Sequence, residues 1–172
     1  MKVLGVDPGY DRLGLALIEK TTGGSEQVIF STCLTSSRTD DFDGRLLFLV
    51  NEIERAIKKY RPELLALEKI FFASNHKTAI AVAEVRGAIL YLAKKLKIPV
   101  LNLTPLEVKS TVTGYGQADK TQVKFMVQKL LHLAGPIKQD DEADALAIAL
   151  TGLSRAVMNY PQLPPAAIAK KN

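Results

Sequence analysis

The first third of the chain alternates short apolar runs with turn residues, a pattern typical of β-strands. Residues 3–7 form an apolar run that Pro8-Gly9 ends, and further runs follow over 13–19 and 27–34. The stretch 21–25 between the last two is Thr-Thr-Gly-Gly-Ser, which favours a turn. Tight turns between consecutive strands favour antiparallel pairing, so an antiparallel meander of three strands is predicted.

The apolar spacing then changes to the helical repeat. Apolar residues recur at helical spacing over 46–60, and Arg61-Pro62 ends that predicted helix. Residues 64–68 predict a short buried strand, and 71–77 predict a loop. The helix predicted over 78–95 is apolar around much of its circumference, which indicates burial on two sides, one of them against another subunit.

The rest of the chain extends an α/β pattern. A fifth strand is predicted over 99–103, and Thr104-Pro105 supplies an N-cap and a first residue for a short helix. Further helices are predicted over 119–131 and from 140 to about 157. Together these elements predict an α/β fold in which helices flank a mixed five-stranded sheet.

The length of the chain, 172 residues, is enough for one domain with a sizeable core. The sequence has no internal repeat and no linker. One domain is therefore expected over residues 1–158. The stretch 159–172 is rich in proline, basic at its end, and predicted to be a poorly ordered tail.

Charge and cysteine content narrow the classes of function. The net charge is +5 and the isoelectric point is near 9.3, which suggests a polyanionic partner, although a solvated basic surface explains it as well. The single cysteine, Cys33, cannot form an internal disulfide or a Cys/His metal cluster. An acid at position 7 comes too early for a signal peptide, and no stretch has the roughly 18 to 20 apolar residues of a membrane span. A reduced, cytoplasmic location is expected.

Two acidic residues stand at the ends of predicted buried strands. Asp7 shares a strand face with Gly5, and Glu68 shares one with Ala66, so small neighbours leave room for an ion or a substrate backbone. Ligands bind at the carboxyl ends of strands in sheets that contain parallel strands. The alternatives are a turn aspartate and a solvated strand terminator.

Two more acidic residues lie near the start of the last predicted helix. Asp141 and Asp144 are three positions apart and share a helix face. A favourable contact with the helix N-terminus explains such acids as well. Asp144, however, lies among apolar residues without a nearby Lys or Arg in sequence, and a buried acid needs a partner. A divalent cation would supply one, because hard cations prefer oxygen ligands.

The motifs around these four acids resemble those of a known family. Leu4-Gly5-Val6-Asp7-Pro8-Gly9, Ala66-Leu67-Glu68-Lys69-Ile70-Phe71 and the run that starts Asp141-Glu142-Ala143-Asp144 resemble, in order and spacing, the three acidic motifs of the RuvC resolvases, which cut four-way (Holliday) DNA junctions. Val85-Arg86-Gly87-Ala88 and residues 108–116 extend the resemblance over about residues 2–152. The family has the RNase H-like (ribonuclease H-like) fold.

The resemblance implies a mechanism and a set of site residues. It implies that Asp7, Glu68, Asp141 and Asp144 hold two Mg²⁺ ions, for which Mn²⁺ substitutes, and that they catalyse phosphodiester hydrolysis in recombination and DNA repair. It also implies a homodimer that cuts two symmetric strands, and a branch-migration helicase as partner.

The resemblance further assigns DNA contacts. It implies that Phe71 or Phe72 stacks on a base near the crossover, and that Lys109 and Lys120 lie near the scissile phosphate. Core packing of the rings and solvation of the lysines are the alternatives. Ser74 departs from the family, which often has a basic residue at this position. Asp144 stands where some members have histidine, so no histidine base is expected.

Three other functions compete with this interpretation. A non-catalytic junction-binding module needs no converging acids. A sugar or acetate kinase of the actin-like class shares the first motif, but it uses two such domains to close on ATP, and this chain has room for one. A relative of the same fold that processes RNA or other branched DNA differs only in its substrate.

Overall fold

The computed structural model describes residues 1–21, 23–70 and 76–159, and it leaves out the side chains of residues 76–78 and 157–159. The secondary-structure elements in chain order are β1 (Lys2–Asp7), β2 (Arg12–Lys20), β3 (Glu26–Thr35), α1 (Phe42–Tyr60), β4 (Leu64–Glu68), α2 (His76–Lys95), β5 (Val100–Leu103), α3 (Pro105–Thr113), α4 (Lys120–Leu130) and α5 (Asp140–Asn159). None of the described helices is long and apolar enough to cross a membrane.

The five strands form one mixed sheet in the order β3-β2-β1-β4-β5. β1 pairs antiparallel with β2, and β2 pairs antiparallel with β3, so the predicted meander is confirmed. β4 pairs parallel with both β1 and β5. The predicted α/β fold with a five-stranded mixed sheet is therefore confirmed, and β1 and β4 end at the same edge of the sheet.

Helix caps explain most of the differences from the predicted element boundaries. α1 begins at Phe42, four residues before the predicted start, because the Asp41 side chain accepts a hydrogen bond from the backbone N–H of Gly44 (2.9 Å). Asp119 is the N-cap of α4, whereas the sequence placed it inside the helix. α2 begins at His76, so the loop predicted over 71–77 was wrong in its last two positions.

Two hydrophobic cores lie on opposite faces of the sheet. Val3 of β1 contributes to the core that α3, α4 and α5 cover, and Leu4 and Val6 contribute to the core that α1 and α2 cover. Asp7 is two residues beyond Gly5 and four beyond Val3, so it lies on the face covered by α5. Of the predicted tail, 159–172, only Asn159 is described, as the last residue of α5, and the rest lies outside the described residues. The division into domain and tail stays a prediction.

Candidate active site

The two strand-end acids are neighbours at the centre of the sheet. β1 and β4 run parallel, and Val6 is directly opposite Leu67. The next residue of each strand is Asp7 on β1 and Glu68 on β4. Both carboxylates therefore leave the sheet side by side at one edge, as the sequence predicted.

Helix α5 brings the other two acids to this edge because glycines let it lie unusually close to the sheet. A Cβ atom added to Gly5 would lie 2.4 Å from the carbonyl oxygen of Ala145, and one added to Gly14 would lie 1.9 Å from that of Asp141. The sequence analysis expected the small residue beside Asp7 to leave room for an ion or a substrate. That expectation was wrong for Gly5, because the helix backbone fills this room.

Three of the four acids line one cavity, which we call the acidic cavity. Its volume is about 290 Å³. Asp7, Glu68 and Asp144 contribute its carboxylates, Lys109 and Lys120 contribute its cations, and Pro105, Val108, Val123 and Ile148 form its apolar part. Asp141, one helical turn before Asp144, borders a different and larger groove. The structure therefore brings together five of the residues that the sequence singled out, with the sixth beside them.

Burial and mutual repulsion strongly perturb the acids of the cavity. Burial, and then the charges of Glu68, Asp144 and Asp141, raise the pKa of Asp7 to about 8. Burial, and then the charge of Asp144, raise the pKa of Glu68 to about 7, while Lys120 and Lys109 oppose that rise. Carboxylates with such raised pKa values retain protons near neutral pH, and they favour a cation that would neutralise them.

Two cations already neutralise part of this charge. Lys120 Nζ lies 3.5 Å from Asp144 Oδ2, and Arg12 Nε lies 3.1 Å from Asp141 Oδ2. Burial raises the pKa of Asp144, whereas Lys120 lowers it. The sequence analysis found no basic partner for Asp144. The lysine is 24 residues away in sequence, and only the packing of α4 on α5 brings it near.

The donor set has the chemistry of a site for hard divalent cations, because it consists of carboxylate oxygens. Within the residues that the structure describes, however, no three His, Cys, Asp or Glu side chains already surround a common metal position. The ion pairs with Lys120 and Arg12 hold Asp144 and Asp141 to other partners. Lys120 and Arg12 therefore compete with a metal ion for these two carboxylates.

The sequence analysis missed three residues that contact the site. Arg12 pairs with Asp141, and Cys33 Sγ lies 3.7 Å from Asp141 Oδ2. Arg86 donates from Nε to the carbonyl oxygen of Glu68 (3.1 Å) and from its terminal nitrogen to Asn102 Oδ1. Arg86 lay within a quoted motif without a role. No local pattern marks Arg12 or Cys33. Gly14 packs against the backbone of Asp141, and the pairing of β2 with β3 places Cys33 opposite Gly14, 19 residues away in sequence.

Two of the predicted DNA-contacting residues cannot be located. Phe71 and Phe72, as well as Ser74, lie outside the described residues. Lys109 and Lys120, by contrast, line the acidic cavity, and their contact with the scissile phosphate stays a prediction. The stacking role of either phenylalanine stays a prediction.

Comparison with known proteins supplies the family. The family model for crossover junction endodeoxyribonuclease RuvC matches residues 3–152. The chain is 42% identical over 154 residues to the RuvC of Fusobacterium nucleatum, with 90% of this chain and 80% of that protein covered. It is 45% identical over 150 residues to the RuvC of Desulfitobacterium hafniense, with 87% and 90% covered.

A solved structure agrees with the family model and with these two relatives. Thermus thermophilus RuvC in complex with a Holliday junction substrate matches with a TM-score of 0.83 and 28% sequence identity, over 92% of this chain and 97% of that one. The family model, the sequence identities and the fold all agree over most of the chain. This chain belongs to the family of crossover junction endodeoxyribonucleases known as RuvC.

Proposed function

We propose that this chain resolves four-way DNA junctions by paired, symmetric phosphodiester cuts, during homologous recombination and DNA repair. The observation that carries the proposal is the acidic cavity, where three acids on two strand ends and one helix face two lysines. A non-catalytic junction-binding module would have no reason to bury mutually repelling carboxylates, which cost stability.

The family is one of metal-dependent nucleases, and we assign the metal to Mg²⁺, two ions per site, with Mn²⁺ as a substitute. Asp7, Glu68, Asp141 and Asp144 would hold them. When bound, such a pair of ions activates water and stabilises the leaving oxygen of a phosphodiester. The carboxylates must be ionised to serve as ligands. Asp7 and Glu68 therefore release the protons that their raised pKa values retain, and catalysis should favour neutral to alkaline pH.

Lys109 and Lys120 are the proposed phosphate-contacting residues of the cavity. Lys120 is 74% exposed and only loosely held at 3.5 Å from Asp144, so it can turn to a DNA phosphate at small cost. Lys109 faces Glu68 across the cavity and opposes the rise of its pKa. Both lysines thus neutralise part of the carboxylate charge in the free enzyme, and both bind the anionic substrate near the scissile phosphate.

Helix α2 supports the proposed homodimer. Ile80 and Tyr91 are 62% and 71% exposed on this helix, and Gly87 between them has open space around it. Their positions share one helix face, apart from the face that Val85 and Ile89 bury in the core. A second copy packed on this face would give the two symmetric active sites that paired cuts require.

The dimer face can be tested by charge. Tyr91→Glu should yield monomer in sedimentation at micromolar concentration, whereas Leu47→Glu, an equally exposed apolar position on α1, should leave the dimer intact. Monomeric wild-type protein, with and without junction DNA, would refute the assignment.

Three further assignments come from family membership and from the cysteine content. Stacking of Phe71 or Phe72 at the crossover, and a branch-migration helicase partner, are proposed from family membership. A cytoplasmic location is proposed because the only cysteine, Cys33, is free.

The central experiment uses a synthetic four-way junction with labelled strands. Wild-type protein with Mg²⁺ and no nucleotide should make paired nicks in the junction and leave linear duplex of the same sequence intact. Asp7→Asn should bind the junction without cutting it. Binding without cutting by the wild-type protein would favour the non-catalytic module, and a requirement for ATP would favour the kinase class. A panel that adds branched RNA and three-way DNA separates the remaining alternative.

A further inference from the structure

A second and larger depression, which we call the outer groove, lies next to Asp141. Its volume is about 1050 Å³, comparable with sites that hold drug-sized ligands. Its lining is formed by residues 9–12, which run from the turn after β1 to the first residue of β2, by residues 35–38 from the end of β3, and by Ala81 and Val82 of α2. Asp141 lines the groove and Asp144 lines the acidic cavity, so the two spaces lie about one helical turn apart along α5.

The walls of the outer groove are fixed to each other. Ser36 donates its backbone N–H to the carbonyl oxygen of Asp11 (3.1 Å) and its hydroxyl to that of Tyr10 (2.7 Å). Buried Arg45 donates to Ser36 Oγ (2.9 Å), pairs with Asp11, and places its guanidinium 3.8 Å from the centre of the Tyr10 ring. This network neutralises Asp11 and preorganises the groove, which lowers the entropic cost of binding a ligand there.

Two arginines face this preorganised groove. Arg38 is exposed and has no ion pair among the residues that the structure describes. Arg12, with its side chain 54% exposed, uses Nε for Asp141. The exposed residues Thr35 and Ser37 line the same groove, and the Ser37 hydroxyl also hydrogen-bonds to that of Thr39 (2.7 Å). Guanidinium groups and hydroxyls are the side-chain donors that hold phosphates of a DNA backbone.

We propose that the outer groove binds the sugar–phosphate backbone of the junction strand as it continues from the cut site, with Arg12 and Arg38 as its phosphate-contacting residues. The proposal rests on the proposed junction-cutting activity. A strand whose scissile phosphate lies in the acidic cavity has to leave that cavity, and the outer groove lies about one helical turn away, at Asp141. On binding, Arg12 exchanges Asp141 for a phosphate oxygen, which frees this carboxylate in the same step.

The test is the salt dependence of junction binding, measured in EDTA so that no strand is cut. Each lost phosphate contact should lower the slope of log K against log[salt] by about 0.9 for every groove that holds DNA. Arg38→Gln and Arg12→Gln should each show this loss and bind the junction several-fold more weakly at moderate salt. Arg38→Lys, which retains the cation, should recover most of the slope.

Arg55→Gln is the matched control. Arg55 is a 77% exposed arginine on α1 that pairs, within the described part of the chain, with Glu52 of its own helix alone and lies outside the groove lining. Its replacement should leave slope and affinity unchanged. If both Arg12→Gln and Arg38→Gln retain the wild-type slope and affinity, the proposal that the outer groove binds DNA is wrong. The proposed junction-cutting function would not be affected by that result.

Two other outcomes also overturn the proposal. If Arg38→Gln shifts the protein from dimer to monomer without DNA, the groove is an interface between copies of the chain. If wild-type protein fails to bind the junction at all, the proposed function fails together with the groove. Melting temperatures should match wild type for Arg38→Gln, because this side chain supports no described contact.

Discussion

The two faces of the sheet are packed by different means. The face under α1 and α2 buries large aliphatic side chains, among them Leu4, Leu49 and Leu67. The face under α5 also buries Ile18 and Leu64, but it has glycines where α5 meets the strands: a Cβ on Gly5 or on Gly152 would lie 2.8 Å or less from the nearest atom. One face is a conventional core, and the other brings a helix backbone down onto the strands.

The difference indicates a division of labour. A side-chain core tolerates small changes, because neighbouring rotamers adjust to them. Contact of helix backbone with strand backbone leaves no such freedom, and α5 carries Asp141 and Asp144 in its first two turns. The closely packed face therefore sets the position of the acids, whereas the aliphatic face contributes mainly stability.

The largest expected effect comes from removing one charge on the closely packed face. Asp144→Asn keeps the size of the side chain and its capacity for hydrogen bonds, so α5 should pack as before. Cleavage of a four-way junction should fall by several orders of magnitude, since metal activation supplies most of the transition-state stabilisation. Binding in a gel-shift assay should survive, and stability should be unchanged or slightly higher.

A nicking assay and a gel shift on the same junction check this prediction. Cleavage at the wild-type rate would make Asp144 a structural helix acid and would remove it from the proposed site. The matched variant is Asp140→Asn, because Asp140 is exposed, pairs with Lys124 and lies outside the acidic cavity. It should cut at nearly the wild-type rate.

A smaller but more diagnostic effect separates the two faces directly. Gly5→Ala places a methyl group 2.4 Å from the carbonyl oxygen of Ala145, so α5 must shift. We expect a loss of about 1–3 kcal/mol of stability and a loss of up to about 10²-fold in cleavage, because misplacement by 1 Å has that effect on catalysis. Leu49→Ala, in the aliphatic core, should cost about 2–5 kcal/mol and leave cleavage per folded molecule unchanged.

Urea unfolding and single-turnover cleavage measure the two quantities separately. Gly135→Ala controls for the loss of glycine, because an added methyl group there meets no atom within 4 Å. Equal ratios of lost cleavage to lost stability in Gly5→Ala and Leu49→Ala would contradict the division of labour.

The sequence predicted the elements of both faces better than the contacts that make one face closely packed. Apolar periodicity marks the strands and α1, and turn residues mark the meander, since both are local signals. The acids were found at strand ends and on one helix face for the same reason. The contact of Gly14 with the backbone of Asp141 has no local signal in the sequence. Gly5 was predicted to leave room for an ion or a substrate, whereas it leaves room for the backbone of α5.

Long-range pairing explains the other errors. The partners of Asp141 and Asp144 come from β2 and α4, and neither lies near them in sequence. Apolar and acidic patterns locate the elements, but they do not say which lysine or arginine packs beside which acid. The proposed DNA-contacting role of the residues around Arg38 was not predicted from the sequence for the same reason. It depends on the hydrogen bonds of Ser36 to Tyr10 and Asp11, which are far from Ser36 in sequence.

Metal should stabilise the protein through the closely packed face. Clustered carboxylates repel one another in the metal-free protein, and an ion that binds only the folded state adds stability by mass action. At about 100 times its Kd the gain is about 2.7 kcal/mol, and in a chain of this size each kcal/mol raises Tm by about 2–4 °C. Thermal melts in millimolar Mg²⁺ or Mn²⁺ should therefore exceed those in EDTA. The gain should vanish when Asp7 and Asp141 are both changed to Asn, and equal melting in all conditions would count against the site.

The smallest effect is the pH dependence of the metal-free protein. The pKa of Asp7 rises from its ordinary 3.8 to about 8 in the folded state, mainly through burial. Between these values the unfolded chain ionises Asp7 and the folded chain does not, so stability falls as pH rises and the full penalty is present above pH 8. In EDTA, Tm should decline by a few degrees from pH 5.5 to 8, and Asp7→Asn should flatten that decline. Asp140→Asn should not, because hydrogen bonding to Lys124 lowers the pKa of Asp140 and places its titration below this window. A decline as steep in Asp7→Asn as in wild type would show that Asp7 is ionised in the folded protein and that its burial is weaker than the geometry implies.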